Sequence, residues 1–266
     1  MAYYQSTYFA QSLQRQTTFA ACLPNDVPEE IQEKNHYYKR TMKTLYLLHG
    51  YSGYYGDWVQ HSRITDISLK YNLAVIMPDG DNSFYLNWGG SGLNYEQFVG
   101  EDLIDYTRKA FSLSPKKEDT YIGGLSMGGY GAIHTALAHP EIFGKAFGLS
   151  SALLTDAVKD MKPGQKDAVA DYAYYKKVFG NLESIKGSHA DPKKLVEKNL
   201  EAGVAIPPLY MACGTEDFLL EHNRKFRDYL RQHEIDVMYK EDKGTHDWDF
   251  WNANIEEAVQ WLLEKK

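Results

Sequence analysis

The feature that most constrains the fold is the pentapeptide Gly124-Leu125-Ser126-Met127-Gly128, which joins an apolar run to a helix-forming segment. Residues 119–123 are typical of a buried strand, and the small residues of 129–138 favour a helix. The flanking glycines indicate that strand and helix approach closely. A sharp strand-to-helix turn holds its serine in a strained conformation, with the hydroxyl above the sheet edge. The pentapeptide therefore predicts that Ser126 is a nucleophile; a glycine-rich turn that only contains a serine is the alternative.

A nucleophilic serine needs a histidine that takes its proton and a carboxylate that orients the histidine. In a strand–turn–helix architecture of this kind, the acid and then the histidine follow the serine along the chain. Asp217 follows the predicted strand 208–213, and His246 follows the predicted strand 235–240. The order predicts a catalytic triad of Ser126, Asp217 and His246.

Other side chains compete for the acid and base roles. Glu216 is the main rival for the acid, but Asp217 is favoured because it lies three residues past Gly214 and precedes Phe218, a candidate packing anchor. Weaker rivals lie beside the histidine loop: Asp242, Asp247 and Asp249. His246 is favoured as the base because it lies in a Gly-x-His-x-Trp loop after a late strand, although a surface histidine is the alternative. Seven other histidines lie in polar or helical contexts without a partner pattern: His36, His61, His134, His139, His189, His222 and His233.

An oxyanion hole is the third element that acyl transfer requires, because the tetrahedral intermediate carries a negative oxygen that backbone N–H groups stabilise. The N–H of Met127, the residue after the serine, is the first expected donor. The loop after the predicted strand Lys43–Leu48 supplies the second, where the His49-Gly50 turn favours an inward amide of Tyr51. An ordinary turn after a buried strand is the alternative for this dipeptide.

Short apolar strands alternate with helical patterns along the chain. Strands are predicted near residues 18–23, 43–48, 73–78, 120–124, 145–150, 208–213 and 235–240, and helices near 63–71, 95–111, 127–138, 219–233 and 253–264. This alternation predicts an α/β fold with a largely parallel central sheet and helices on both faces. No repeat or linker divides the sequence, so one domain is predicted over residues 1–266.

A polar, turn-rich insertion of about residues 152–207 separates two predicted strands and is expected to form a small cap over Ser126. Loops on a rigid scaffold commonly set substrate choice. Tyr174 and Phe179 of the insertion and Trp88 of the loop 81–88 are therefore candidate walls of an acyl pocket. The alternative is that these aromatic residues pin their loops onto the sheet, since aromatic side chains bury large areas wherever they occur.

Composition excludes several function classes. The net charge of −7 and the lack of a basic cluster argue against nucleic acids and anionic membranes as partners. The apolar runs are far shorter than a membrane span. No metal-binding motif is visible, so neither a metal nor another cofactor is predicted. The start of the chain shows no secretory signal, and Cys22 and Cys213 show no disulfide pattern, so a cytoplasmic protein with reduced thiols is expected. A small-molecule ester is the expected partner, and the sequence leaves a homo-oligomer open.

These segments together resemble the esterase D-type esterases of the α/β-hydrolase superfamily, and most of all the tributyrin esterases of lactic acid bacteria and streptococci. The resemblance spans about residues 8–261 and is strongest in residues 47–53, 124–129, 214–217 and 244–248. It implies an α/β-hydrolase fold and a serine carboxylesterase that acts on short-chain acyl esters through a covalent acyl-enzyme. It also implies Ser126, Asp217 and His246 as the triad, with Tyr51 and Met127 as oxyanion donors.

Other functions stay open. S-formylglutathione hydrolases and feruloyl or acetylxylan esterases share this machinery, as do mycolyltransferases, so the resemblance does not fix the substrate. A catalytically silent scaffold is the alternative of another class, because a fold alone does not guarantee activity. The intact set of serine, acid and histidine argues against it.

Overall fold

An eight-stranded sheet organises the chain in a computed structural model that describes residues 1–264. The strands are β1 (Ala2–Ala10), β2 (Arg15–Leu23), β3 (Lys43–Leu48), β4 (Leu73–Pro78), β5 (Thr120–Leu125), β6 (Lys145–Leu149), β7 (Leu209–Gly214) and β8 (Val237–Asp242). Their order is β1-β2-β4-β3-β5-β6-β7-β8. β1 and β2 pair antiparallel, and β2 pairs antiparallel with β4, whereas every pair among β3–β8 is parallel. The predicted α/β fold with a largely parallel sheet is confirmed.

Helices cover both faces of this sheet. They are α1 (Glu29–Lys34), α2 (Asp57–His61), α3 (Ile64–Tyr71), α4 (Tyr95–Gln97), α5 (Leu103–Phe111), α6 (Met127–Ala138), α7 (Thr155–Val158), α8 (Tyr172–Phe179), α9 (Pro192–Glu201), α10 (Leu220–Gln232) and α11 (Trp248–Leu263). One buried apolar cluster includes side chains of α5, α6, α9 and α10. A second cluster includes side chains of α2, α3 and α11. The two clusters are the cores on the two sides of the sheet. Within residues 1–264, no helix combines the length and the apolar character needed to cross a membrane.

Three elements differ from the sequence prediction. β1 was not predicted, because this edge strand leaves Tyr3, Tyr4 and Phe9 exposed and so lacks the pattern of a buried strand. The helix predicted over 95–111 contains a π-helical turn at Phe98–Asp102 between α4 and α5. The last helix begins at Trp248 rather than at residue 253, because the Asp247 carboxylate accepts a 3.0 Å hydrogen bond from the Phe250 amide and caps the helix.

The insertion between β6 and β7 contains α7, α8 and α9. Tyr175, Phe179 and Val196 of this segment are buried and belong to the first apolar cluster. The segment therefore packs against the core of the sheet, and its role as a cap stays a prediction. Cys22 and Cys213 are buried, and both are free thiols.

Ser126 alone connects β5 to α6, which fixes how closely strand and helix approach. Its φ of 52° and ψ of −117° lie outside the regions that non-glycine residues favour. A Cβ atom on Gly128 would lie 2.5 Å from the carbonyl oxygens of both Leu48 and His49. These clashes are with the backbone of β3 and its following loop, so a rotamer change cannot relieve them.

Gly128→Ala is expected to lower the free energy of unfolding by about 3 kcal/mol or more, because α6 must move away from β3. The shift of the urea midpoint at constant m-value measures this loss. Gly90→Ala is the matched control, since a Cβ on Gly90 meets nothing within 4 Å. Equal stability of the two variants would contradict the close approach of α6 and β3.

Candidate active site

Ser126 stands at the C-terminal edge of the sheet with its hydroxyl toward a histidine. Its Oγ lies 3.0 Å from Nε2 of His246. The backbone around it is fixed by three hydrogen bonds: the Ser126 amide donates to Leu149, and its carbonyl accepts from the amides of Tyr130 and Ala152. The main chain therefore holds this serine in place, and its hydroxyl is left to contact His246.

Asp217 lies on the other side of the imidazole ring. Its Oδ2 is 2.9 Å from Nδ1 of His246, and its Oδ1 accepts a 2.8 Å hydrogen bond from the Leu219 amide. An ionised carboxylate only accepts, so Nδ1 carries the proton. Nε2 of His246 then presents its lone pair to Ser126. The structure brings the three predicted side chains together in the order that proton abstraction requires.

The carboxylate of Asp217 is completely buried. Burial alone would raise its pKa, but the hydrogen bond from His246, the positive charge that this ring carries when protonated and a further hydrogen bond from the Leu219 amide outweigh burial and lower the pKa of Asp217. Asp217 is therefore ionised at neutral pH. The rival Glu216 is exposed, so Asp217 and not Glu216 contacts His246.

Buried His49 supports the loop that holds Tyr51. Nε2 of His49 accepts a hydrogen bond of 2.9 Å from the Gly80 amide, so the proton lies on Nδ1, which donates to the Gly50 carbonyl at 2.8 Å. Burial lowers the pKa of His49, which keeps this ring neutral. The Gly53 amide donates to the same carbonyl at 3.1 Å. The Gly50 carbonyl and the Tyr51 N–H belong to the same peptide group, and in a trans peptide the two point in opposite directions. The hydrogen bonds that hold the carbonyl therefore also fix the direction of the Tyr51 N–H.

Met127 is the first residue of α6, and N–H groups of a first helical turn have no partner within the helix. The Met127 side chain is buried, while its amide lies directly after Ser126. Both predicted oxyanion donors thus belong to rigid backbone beside the serine.

A cavity of about 450 Å³ opens over Ser126. Its lining residues are Gly50, Tyr51, Asp57, Leu125, Ser126, Ala168, Val169, Phe218, His246, Trp248 and Trp251. Trp251 lies edge-on to the His246 ring at 5.1 Å between centroids, and its indole N–H donates to Ser150. Phe218 contacts the same ring at 4.7 Å but is 54% exposed, so it lies at the mouth of the cavity and is no packing anchor.

The predicted substrate residues lie elsewhere. Trp88 and Phe179 line a separate cavity of about 290 Å³, here called the second cavity, and neither lines the cavity at Ser126. Phe179 packs on Phe84 at 4.9 Å and so pins the end of α8, and the Trp88 indole donates to the Ser83 carbonyl and so pins its loop. Tyr174 reaches the edge of the site, where its ring contacts that of Tyr51 at 5.3 Å.

The aromatic walls that the sequence prediction missed are Phe218, Trp248 and Trp251. The sequence did contain a signal for these three residues. Each lies within five residues of Asp217 or His246, and the chain turns at both points, so their side chains stay near the site. Val169 and Ala168 had no such signal, because the insertion reaches the cavity only through its tertiary packing.

Known proteins share this chain's fold over nearly its whole length. A family model described as "Putative esterase" matches residues 10–262. An acetyl esterase from Caldicellulosiruptor saccharolyticus is 43% identical over 262 residues, which cover 98% of both chains. Two solved structures from Staphylococcus aureus each cover 99% of both chains. The fluorophosphonate-binding serine hydrolase FphF is 30% identical with a TM-score of 0.84, and the S-formylglutathione hydrolase FrmB is 32% identical with a TM-score of 0.82.

The matched model covers the strand–turn–helix at Ser126 and the loops of Asp217 and His246, and the alignment with the acetyl esterase covers 98% of the chain. The chain therefore belongs to the "Putative esterase" family and is an esterase with the α/β-hydrolase fold.

Proposed function

We propose that this esterase is a serine carboxylesterase that hydrolyses short-chain acyl esters, in the manner of the tributyrin esterases that it resembles. The observation that carries the proposal is the chain of contacts from Asp217 through His246 to the Ser126 hydroxyl, with 2.9 Å and 3.0 Å between the interacting atoms. Ser126 and His246 line a cavity of about 450 Å³ that admits a small ester, and Asp217 lies buried behind His246.

Acylation begins when Ser126 Oγ attacks the ester carbonyl and His246 Nε2 takes the hydroxyl proton. The resulting imidazolium is stabilised by the ionised Asp217. Negative charge that develops on the carbonyl oxygen is stabilised by the N–H groups of Tyr51 and Met127. The imidazolium then protonates the leaving alcohol, and the acyl group stays on Ser126.

Deacylation repeats the sequence with water as the nucleophile. His246 removes a proton from the water, which attacks the acyl carbonyl, and the same two amides stabilise the second oxyanion. The imidazolium returns the proton to Ser126 Oγ, and the carboxylic acid leaves. No cofactor is required for either half of this cycle.

The charge of the cavity supports uncharged esters as substrates. Among the described residues that line it, Asp57 is a carboxylate and none is a lysine or arginine. A glutathione thioester carries carboxylates, which a site without cationic side chains does not stabilise. The acetyl esterase relative supports a short acyl group, and the aromatic walls around Ser126 supply apolar surface for it.

S-formylglutathione hydrolysis is the second candidate, because FrmB is 32% identical over almost the whole chain. The same acyl transfer would act on a thioester, so only relative rates separate the two functions. Feruloyl and acetylxylan ester hydrolysis is tested in the same experiment.

The test is a profile of kcat/KM for p-nitrophenyl esters from acetate to decanoate, with methyl ferulate, acetylated xylan and S-formylglutathione measured beside them. We expect values for acetate or butyrate about tenfold or more above decanoate, since the walls around Ser126 exclude long chains from productive binding. The glutathione thioester is expected to react more slowly than butyrate. A strong preference for the thioester or ferulate would replace the proposed substrate class. No turnover of any ester would favour a silent scaffold.

A further inference from the structure

A second group of ionisable side chains lies outside the cavity at Ser126. It consists of Glu96 on α4, His134 on α6, His139 just after α6, and His189 in the insertion, and is called here the histidine–glutamate cluster. His134 lies about two helical turns along α6 from Ser126. His189 also lines the second cavity, so solvent reaches the cluster from that side.

The protonation of His134 follows from its contacts. Its Nε2 lies 2.8 Å from the His189 carbonyl oxygen, which only accepts, so Nε2 carries a proton. The ring is fully buried, and burial disfavours a second, charging proton on it, so its Nδ1 holds a lone pair. That buried Nδ1 has no hydrogen-bond partner and faces Glu96 Oε2 at 3.5 Å. Two acceptors that face each other in this way favour a cation between them.

We propose that Glu96, His134 and His189 form a binding site for a divalent transition-metal ion, with Zn²⁺ as the favoured ion. One ligand atom from each residue lies within 4.8 Å of the others. The 3.5 Å between His134 Nδ1 and Glu96 Oε2 is close to the edge of a tetrahedron with bonds of about 2.0 Å, which is ~3.3 Å.

The donor set selects the class of metal. Imidazole nitrogens suit Zn²⁺, Ni²⁺, Co²⁺ and Cu²⁺, whereas Mg²⁺ and Ca²⁺ prefer oxygen ligands throughout. The hydrogen bond from His134 Nε2 to a backbone carbonyl is the outer contact that orients a ligating histidine. His189 Nε2 now bonds Glu96 Oε2 at 2.5 Å, and a bound ion replaces the proton shared between them.

His139 is the nearest further donor. Its Nε2 lies 3.7 Å from Glu96 Oε1, too far for a hydrogen bond, and this buried nitrogen has no hydrogen-bond partner. It lies beside the other oxygen of the Glu96 carboxylate, outside the group of three ligand atoms that lie within 4.8 Å of one another. The three proposed ligands come from α4, α6 and the insertion, so the ion ties the insertion to the body of the fold and takes no part in the chemistry at Ser126.

The test measures Zn²⁺ binding to the full chain after treatment with EDTA, by calorimetric titration and by thermal unfolding. We expect one tight Zn²⁺ per chain and a Tm that rises with Zn²⁺ concentration. Co²⁺ as a probe is expected to give the visible d–d bands of a four-coordinate ion. Because no substrate is present, the result does not depend on the proposed esterase mechanism.

His189→Gln is the decisive variant, because this side chain is 54% exposed and a glutamine amide can still donate a hydrogen bond to Glu96, whereas it is a poor ligand for Zn²⁺. We expect Zn²⁺ affinity to fall by about tenfold or more and the Zn²⁺-dependent rise in Tm to be lost, while Tm without metal changes little. His36→Gln, at an exposed site outside the cluster, is the matched control and should bind as wild type does. His246→Gln tests adventitious binding at the active site and should also keep the tight site. The proposal is overturned if the wild type takes up no Zn²⁺, if His189→Gln binds it equally well, or if only His246→Gln abolishes binding.

Discussion

Ser126→Ala is expected to lower kcat on p-nitrophenyl butyrate by about 10⁴-fold or more while leaving the fold intact. The substitution removes the nucleophilic Oγ and the 3.0 Å contact with His246. Every other interaction described at this position is made by the Ser126 backbone, which alanine keeps. Thermal unfolding is therefore expected within about 2 °C of the wild type. Steady-state kinetics and a melting curve on the same sample measure both quantities.

Ser91→Ala is the control for this variant, because Ser91 lies exposed in the loop between β4 and α4. It should keep wild-type kcat and remain labelled by a fluorophosphonate, while Ser126→Ala should lose the label. A Ser126→Ala protein with wild-type turnover would assign the nucleophile to another residue.

Asp217→Asn is expected to cause the second large loss of activity, a decrease of about 10⁴-fold in kcat. The asparagine amide would donate to Nδ1 of His246 and so place the histidine proton on Nε2, facing Ser126. That tautomer cannot accept the hydroxyl proton. The pKa of Asp217 is lowered in the fold, so the wild-type carboxylate stays ionised at and below neutral pH and keeps the productive tautomer.

Glu216→Gln is the matched control, since it neutralises the adjacent carboxylate, which is exposed. Kinetics of the two variants on butyrate decide which carboxylate serves as the acid. We expect Glu216→Gln to stay within about threefold of wild type. A large loss in Glu216→Gln with activity kept in Asp217→Asn would reverse the two roles.

Local patterns predicted the central sheet and the side chains that meet at its edge. β3 and β4 have the predicted bounds because both are continuous apolar runs between turn residues. Ser126, Asp217 and His246 could be identified because each lies within four residues of the end of a strand, and parallel strands bring their C-terminal ends to one edge. The contacts from Asp217 to His246 and from His246 to Ser126 agree with the triad that the sequence order predicts. The substitutions described above test the catalytic roles of these residues.

Patterns in the sequence could not predict which side chains of the insertion and of the loops lie near Ser126. Trp88 lies in a loop and Phe179 ends α8, and both pack away from Ser126, whereas Trp248 at the start of α11 lines the cavity; only tertiary contacts decide which way such segments face. The histidine–glutamate cluster escaped detection for a related reason. Metal motifs are recognised by short spacing, whereas Glu96, His134 and His189 come from three separate segments.

The order of the site along the chain has a consequence for synthesis. Ser126 and His246 are 120 residues apart, and His246 lies between the edge strand β8 and α11. A ribosome therefore releases the proposed nucleophile long before the proposed base, and a nascent chain that ends before β8 carries Ser126 and Asp217 without His246. By the proposed mechanism, ester turnover by a growing chain begins only after His246 has emerged and reached Ser126, so the onset of activity would report when the C-terminal segment has joined the rest of the fold.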